Sequence, residues 1–315
     1  MSKKIILDLD TGIDDTLALA YVLASPEAEL IGITGTYGNV TVAQGVQNDL
    51  DLLELFGYPD IPVYAGPTHP LASDSFEVLD SSGEFHGKNG TGDVEIPAKA
   101  AGSVQEQNAV DFIIESVRQY GDELVIVPTG ASTTMAAVLR KAPDIENKIH
   151  IVMMGGALTQ PGNSTIFAEA NVLQDPEATK ELFSSSADIT MIGLDVTTKV
   201  RMSRQDNEQL RATGTRIGTF MADMIDFYIE VSERYDSIPG CNLHDPLAAA
   251  VALDSSLVTT FPINLTVDLE DGRGRTIGDP ARLLDAPNTK VALAVDGEHF
   301  VPGFLSRLMW LAISA

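Results

Sequence analysis

Cysteine is almost absent from the sequence: Cys241 is the only one in 315 residues. A lone thiol excludes an internal disulfide framework and any cysteine-rich zinc or iron–sulfur site. Basic side chains are scarce too, with 20 Lys and Arg against 45 Asp and Glu and a formal net charge of −25. Nucleic acid and anionic membrane both select a basic footprint, so neither is expected as a partner. Long apolar runs are also missing, and no stretch reaches the roughly 18 uninterrupted apolar residues of a membrane span. Asp8 interrupts the first apolar run, Ile5-Ile6-Leu7, far too early for a signal-peptide core. Together these absences predict a cytoplasmic protein.

What is present suits a globular chain. Hydrophobic residues make up 44% and charged residues 21%, enough to bury a large α/β core. Most of the carboxylates read as solvated, mutually repulsive surface. The other use open to a few of them is to surround a cation, and a His/Asp/Glu metal site stays open where a cysteine site does not.

Strand and helix patterns alternate, as expected for an open, mainly parallel sheet with flanking helices. Residues 5–9 read as a short buried strand and residues 14–24 as the helix after it, with acids in its first turn and Pro26 just beyond. Residues 30–34 read as the second strand. Val42, Val46, Leu50, Leu53 and Phe56 then repeat at helical spacing up to a stop at Gly57. Residues 66–102, rich in Gly, Ser, Pro and acids, read as a functional lid or a disordered segment. A capping box at residues 103–106 predicts the start of a helix ending near Tyr120. Strands are expected at 124–127, 149–153 and 189–194, and Asp175-Pro176-Glu177 marks another helix start. Helical stretches at 203–212, 216–235 and 245–253 follow. Residues 264–268, 275–278 and 291–295 are expected to form a small peripheral β element near the C-terminus. No linker or internal repeat interrupts the pattern, which predicts one domain over residues 1–315.

The strongest chemical feature is Asp8-Leu9-Asp10-Thr11-Gly12-Ile13-Asp14-Asp15, at the carboxyl end of the first strand. Ligands of open α/β sheets bind at that edge. Four aspartates within eight residues repel one another unless a cation or sugar hydroxyls compensate them. Helix capping by Asp14 or Asp15 explains one acid, not four. An EF-hand loop fails, because the twelfth position from Asp8 is Leu19 where a bidentate Glu is required. A magnesium-dependent phosphatase of the haloacid-dehalogenase type also begins Asp-x-Asp-x-Thr. Its later acidic pair has only Gly278-Asp279-Pro280 to match, a weak candidate that leaves this alternative open. A non-catalytic nucleoside- or sugar-binding protein is a further alternative.

The aspartate motif resembles the signature of the nucleoside hydrolases, the inosine–uridine preferring N-ribohydrolases, and the resemblance continues along the chain. It includes Gly35-Thr36-Tyr37-Gly38-Asn39-Val40, His86-Gly87-Lys88-Asn89-Gly90, Pro128-Thr129-Gly130 and Met153-Met154-Gly155-Gly156. Gly162-Asn163, Glu169-Ala170-Asn171, Asp175-Pro176-Glu177-Ala178, His244-Asp245-Pro246-Leu247-Ala248 and Arg273-Gly274-Arg275-Thr276 follow in order.

The resemblance implies a nucleoside-hydrolase-like fold and calcium-dependent cleavage of ribonucleosides to free base and ribose. It assigns the Ca2+ ligands to Asp10, Asp15, Asp245 and the carbonyl of Thr129, a hard-oxygen set that leaves room for water and sugar hydroxyls. Asp10 is the implied general base, and His244 the candidate acid for the departing base. Asp14, Asn39, Asn163, Glu169 and Asn171 match ribose-contacting positions, with Met154 lining the pocket. His86 is a candidate lid residue over the base. Tyr228 and Tyr235 lie where relatives carry base-contacting aromatics, and Ser232 occupies one of the usual tyrosine positions. By analogy with acidic relatives, a homodimer or homotetramer is expected. His69, His150 and His299 read as loop or structural residues, and Cys241 as a small filler.

Overall fold

A computed structural model describes residues 2–314. The first apolar run forms strand β1 (Lys3–Leu9), buried from Ile5 onward, and the acidic turn beyond it enters helix α1 (Ile13–Leu23). Strand β2 (Ala28–Gly35), helix α2 (Val42–Phe56) and strand β3 (Val63–Ala65) complete the first wing. Helix α2 stops at Gly57, whose φ of 83° is the left-handed geometry that glycine tolerates best.

The long polar stretch contains a short helix, α3 (Asp80–His86). The next helix, α4 (Ala109–Tyr120), does not start at the expected capping box. Asn108 is its cap, accepting the Asp111 N–H at 3.0 Å, while the Gln105 N–H bonds the Val63 carbonyl at 2.9 Å and keeps residues 103–106 beside β3. The second wing runs through β4 (Leu124–Pro128), α5 (Thr133–Lys141), β5 (His150–Met154), α6 (Ala170–Gln174) and α7 (Pro176–Ser184). It continues with β6 (Asp188–Ile192) and α8 (Leu194–Thr197). β6 ends two residues before the expected limit, because Gly193 is the cap of α8.

The remainder comprises β7 (Arg201–Met202), α9 (Arg204–Arg211), α10 (Arg216–Asp236), β8 (Cys241–Asn242) and α11 (His244–Leu253). Last come β9 (Val258–Pro262), β10 (Leu265–Val267), β11 (Thr276–Gly278), β12 (Thr289–Val295) and α12 (Gly297–Ser314).

The eight-stranded sheet has the order β3-β2-β1-β4-β5-β6-β12-β9, and only β9 runs antiparallel to its neighbour. The sequence pattern puts residues 291–295 in a peripheral sheet, but β12 pairs in parallel with β6 inside the main one. Val291 and Ala292 are fully buried, and a strand covered on both faces belongs in the interior. Only β10 and β11 form the separate antiparallel ribbon expected near the C-terminus.

Side chains alternate across β1 with the two-residue period of a strand. Ile5, Leu7 and Leu9 join an apolar layer with Leu17, Leu247 and Phe304, whereas Ile6 joins the opposite layer with Ile113, Leu139 and Phe183. The chain leaves β1 toward β2 and β3, then returns to β4 on its other side. The strand order therefore reverses between β1 and β4, a switch point where such sheets open a crevice beyond their carboxyl ends. Asp10 and Thr129 each follow one of these two strands directly. Among the described residues, no helix is long and apolar enough to cross a membrane.

Candidate active site

Four carboxylates meet at this crevice, none more than 5% exposed: Asp10, Asp14, Asp15 and Asp245. Asp10 is held from the β2 side, where Asn39 donates its backbone N–H to Oδ2 and its side-chain amide to Oδ1, both at 2.9 Å. Gly38 makes this approach possible, since a β-carbon there would overlap Asp10 Oδ2. Asp15 accepts the Gly12 N–H at 2.6 Å through Oδ2 and the Thr129 hydroxyl at 2.6 Å through Oδ1. It thereby ties the start of α1 to the end of β4. Asp245 lies in the first turn of α11, where Leu243 occupies the cap position.

Oxygens of Asp14, Asp15 and Asp245 lie within 4.8 Å of one another. The expected ligand set uses Asp10 where this triangle uses Asp14. The Thr129 carbonyl accepts the Asn171 side-chain amide at 2.7 Å. Among the described residues, no Lys or Arg pairs with any of the four acids, and Asp14 Oδ1 is buried without a hydrogen-bond partner. Burial, reinforced for Asp10 by the neighbouring Asp15 charge, raises Asp10 and Asp245 well above the usual carboxylate range. Burial also lifts Asp14 to about 6 and raises Asp15. Crowded hard oxygens with a free acceptor and no basic counterpart fit a divalent cation.

The expected ribose side of the site surrounds the end of β5. Glu169 caps α6, accepting the Asn171 N–H at 2.9 Å, the Val172 N–H at 3.1 Å and the Gly156 N–H at 2.8 Å. The Asn171 amide reaches the Met154 carbonyl at 3.3 Å and the Met154 sulfur at 3.2 Å, as well as Thr129. These bonds bring Glu169, Asn171, Met154 and Thr129 together. Asn163 stands apart: it is exposed, and its Oδ1 accepts the Ala170 N–H at 3.0 Å.

His86 arrives from the last turn of α3. Its Nδ1 accepts the Ile13 N–H at 3.1 Å and lies 3.7 Å from Asp14 Oδ1, and its ring is 5.5 Å from that of Tyr228. Tyr228, buried on α10, donates its hydroxyl to Asp14 at 3.4 Å. Tyr235, 57% exposed on the same helix, instead bonds Glu84 and packs on Phe85. His244 Nδ1 sits 2.8 Å from the Thr197 hydroxyl. Burial lowers both His86 and His244 to about 4, so neither ring compensates the acids. Cys241 is a buried thiol pushed up to about 12, too high for a nucleophile. His150 lies near Asp188 and Asp122 at the surface, and His69 and His299 lie outside the site.

Sequence reasoning missed several neighbours. Thr197 orients His244 but comes from a short helix with no motif of its own. Gln174 Nε2 would lie 2.8 Å from a β-carbon on Gly38, beside Asp10, and its Oε1 is buried and unpartnered. Asp8 shares the strand motif, yet its carboxylate turns to Thr34, whose hydroxyl donates to it at 2.6 Å. The later acid of the phosphatase alternative, Asp279, caps a short turn by accepting the Ala281 N–H at 2.9 Å. Neither acid joins the cluster.

A family model described as inosine-uridine preferring nucleoside hydrolase matches residues 5–302. The pyrimidine-specific ribonucleoside hydrolase RihA of Salmonella gallinarum is 36% identical over 318 residues, covering 99% of this chain and 100% of that protein. Uridine nucleosidase 1 of Arabidopsis thaliana is 35% identical over 258 residues, covering 82% of this chain and 76% of that protein. The solved structure of a purine-preferring ribonucleoside hydrolase from Gardnerella vaginalis superposes with a TM-score of 0.97 at 53% identity, covering 99% and 100% of the two chains.

Proposed function

The chain belongs to the inosine-uridine preferring nucleoside hydrolase family and hydrolyses ribonucleosides, and on that premise we propose a calcium-assisted reaction with Asp10 as base and His244 as acid. N-glycosidic cleavage passes through an oxocarbenium-like ribosyl cation. The chain must therefore hold the sugar, place a water and help the base leave. Calcium held by Asp10, Asp15, Asp245 and the Thr129 carbonyl supplies, when bound, polarisation of the sugar hydroxyls and acidification of water.

Asp10 takes the proton of the attacking water. The two Asn39 bonds fix its orientation. Asp14, Asn39, Glu169 and Asn171 hold the ribose, with Met154 against the ring, while Asn163 braces the loop beside them by accepting the Ala170 N–H. A bound cation would favour the charged form of these carboxylates, and charged oxygens beside the sugar favour a positive ribosyl group. His86 and Tyr228, grouped over Asp14, contact the base. If the Thr197 hydroxyl donates to Nδ1 of His244, the ring proton sits on Nε2, free to meet the departing base.

The observation that carries this reading is the buried oxygen cluster with no Lys or Arg partner and with Asp14 Oδ1 unpaired. The proposed substrate range is of the inosine and uridine type, and the names of the relatives span uridine, pyrimidine and purine preferences. The test is a panel of inosine, uridine, cytidine, adenosine and nicotinamide riboside, assayed for reducing sugar in chelator and after calcium is restored. Turnover is expected to vanish and return. No turnover of any nucleoside with calcium present overturns the reading. We also infer a single cooperative domain that assembles as a homodimer or homotetramer in the cytoplasm. Unfolding in one transition, light scattering and cell fractionation test these three points.

A further inference from the structure

Between Asp10 and Gly12 the backbone passes through Thr11 at φ 40°, a left-handed conformation that a β-branched residue resists. Such strain persists only where surrounding contacts hold it, and at functional sites it is often part of the design. Thr11 is completely buried, and its hydroxyl donates to Asp49 Oδ1 at 2.9 Å. Asp49 lies on the inward face of α2 and is also completely buried, while its Oδ2 has no partner. A buried carboxylate with one neutral donor is an expensive group to keep. Nothing in the hydrolytic reaction uses it directly. Its neighbour Asn48 donates to the Asn89 carbonyl at 2.7 Å, so the same turn of α2 braces the loop that follows His86.

We propose that Asp49 is a positioning residue. Through the Thr11 hydroxyl it locks the left-handed turn that aims Asp10 from one side, and Asp14 and Asp15 from the other, into one oxygen cage. This rests on the cation reading above. Burial drives the Asp49 carboxyl well above its ordinary range, so a neutral amide is a close substitute for it. Thr11→Val removes the hydroxyl at nearly constant shape, and Thr11→Gly accepts the left-handed backbone without being held.

The experiment measures kcat, KM and the calcium Kd, fitted from the logarithmic rise of Tm with calcium concentration, for wild type, Asp49→Asn, Asp49→Leu, Thr11→Val and two double variants. Asp49→Leu and Thr11→Val should each lower kcat and calcium affinity by about 10–100-fold, the range for outer partners of metal ligands. KM should move far less. Asp49→Asn should retain most of both quantities. Thr11→Val with Asp49→Leu should be no worse than the weaker single variant, because both remove one bond. Thr11→Gly with Asp49→Leu should recover part of the loss.

Unchanged kcat and calcium affinity in Asp49→Leu, multiplied losses in the first double variant, or no recovery in the second would each overturn the proposal. Should Asp49→Leu fail to fold, the contrast between Thr11→Val and Asp49→Asn decides alone: equal behaviour of those two overturns it. If wild type turns over nucleosides without any calcium-induced rise in Tm, the cation reading fails instead.

Discussion

Replacing Asp8 by asparagine separates the electrostatic cost of a buried acid from everything else that titrates in this protein. Asp8 is completely buried on β1, takes the Thr34 hydroxyl at 2.6 Å on one oxygen and has no partner on the other. Burial pushes its carboxyl up from 3.8 to about 7, with the Asp15 charge adding to the rise and the Thr34 hydroxyl opposing it. The sign follows from proton linkage. Between about pH 4 and about pH 7 the folded chain holds a proton here that the unfolded chain has lost, so stability falls as pH rises through this window. Each tenfold change in proton affinity is worth about 1.36 kcal/mol, so this rise amounts to about 4 kcal/mol, fully expressed only above about pH 7. Asparagine keeps an oxygen for Thr34 and carries no charge. Asp8→Asn should therefore match wild type near pH 4 and exceed its stability by up to about 4 kcal/mol near pH 8. Urea unfolding followed by circular dichroism, in chelator at a series of pH values, measures the difference. Comparison with wild type cancels His86 and His244, whose lowered values shift stability the opposite way over an overlapping range. A variant no more stable than wild type at pH 8, or a gap that does not widen with pH, refutes the reasoning.

Asp10→Asn should lower kcat by roughly 10²–10⁴-fold, the usual contribution of a general base, with a near-native circular dichroism spectrum. Full activity in that variant removes Asp10 as the base. His244→Ala should slow purine nucleosides by a similar factor of about 10²–10⁴ and spare substrates with good leaving groups. Equal losses on both classes, read from kcat, argue against the acid role. Gly38→Ala should displace Asp10, since its β-carbon would overlap Asp10 Oδ2. A loss of about 100-fold in kcat is expected, with Tm lowered by overpacking worth about 1–3 kcal/mol, and wild-type turnover would show that Asp10 tolerates the shift.

The legible parts of this protein were those written in neighbouring residues. The helix stop at Gly57, the Asp175 cap with Pro176 behind it, and the acid run after β1 each follow from short-range geometry, and the structure holds all three. Errors arose where a distant partner decided the outcome. The expected cap at residues 103–106 lost to Asn108 because β3 claims that backbone. Residues 291–295 read as peripheral because their pairing with β6 joins segments about a hundred positions apart. His86 sits in a stretch that reads as loop, and only the turn of α3 carries its ring to the Ile13 N–H.

From the sequence alone came the alternation of strand and helix, the acid-rich turn at a strand end and the family resemblance, all properties of local spacing and composition. Tertiary structure decided which acids share a space. Asp14 and Asp245 are far apart in sequence, and their oxygens meet only because α1 and α11 pack side by side at the edge where the sheet reverses. Left-handed Thr11 and its bond to Asp49 belong to the same class. A strained φ is stable only when a fully assembled interior supplies the contact that holds it, and that contact crosses from the end of β1 to α2.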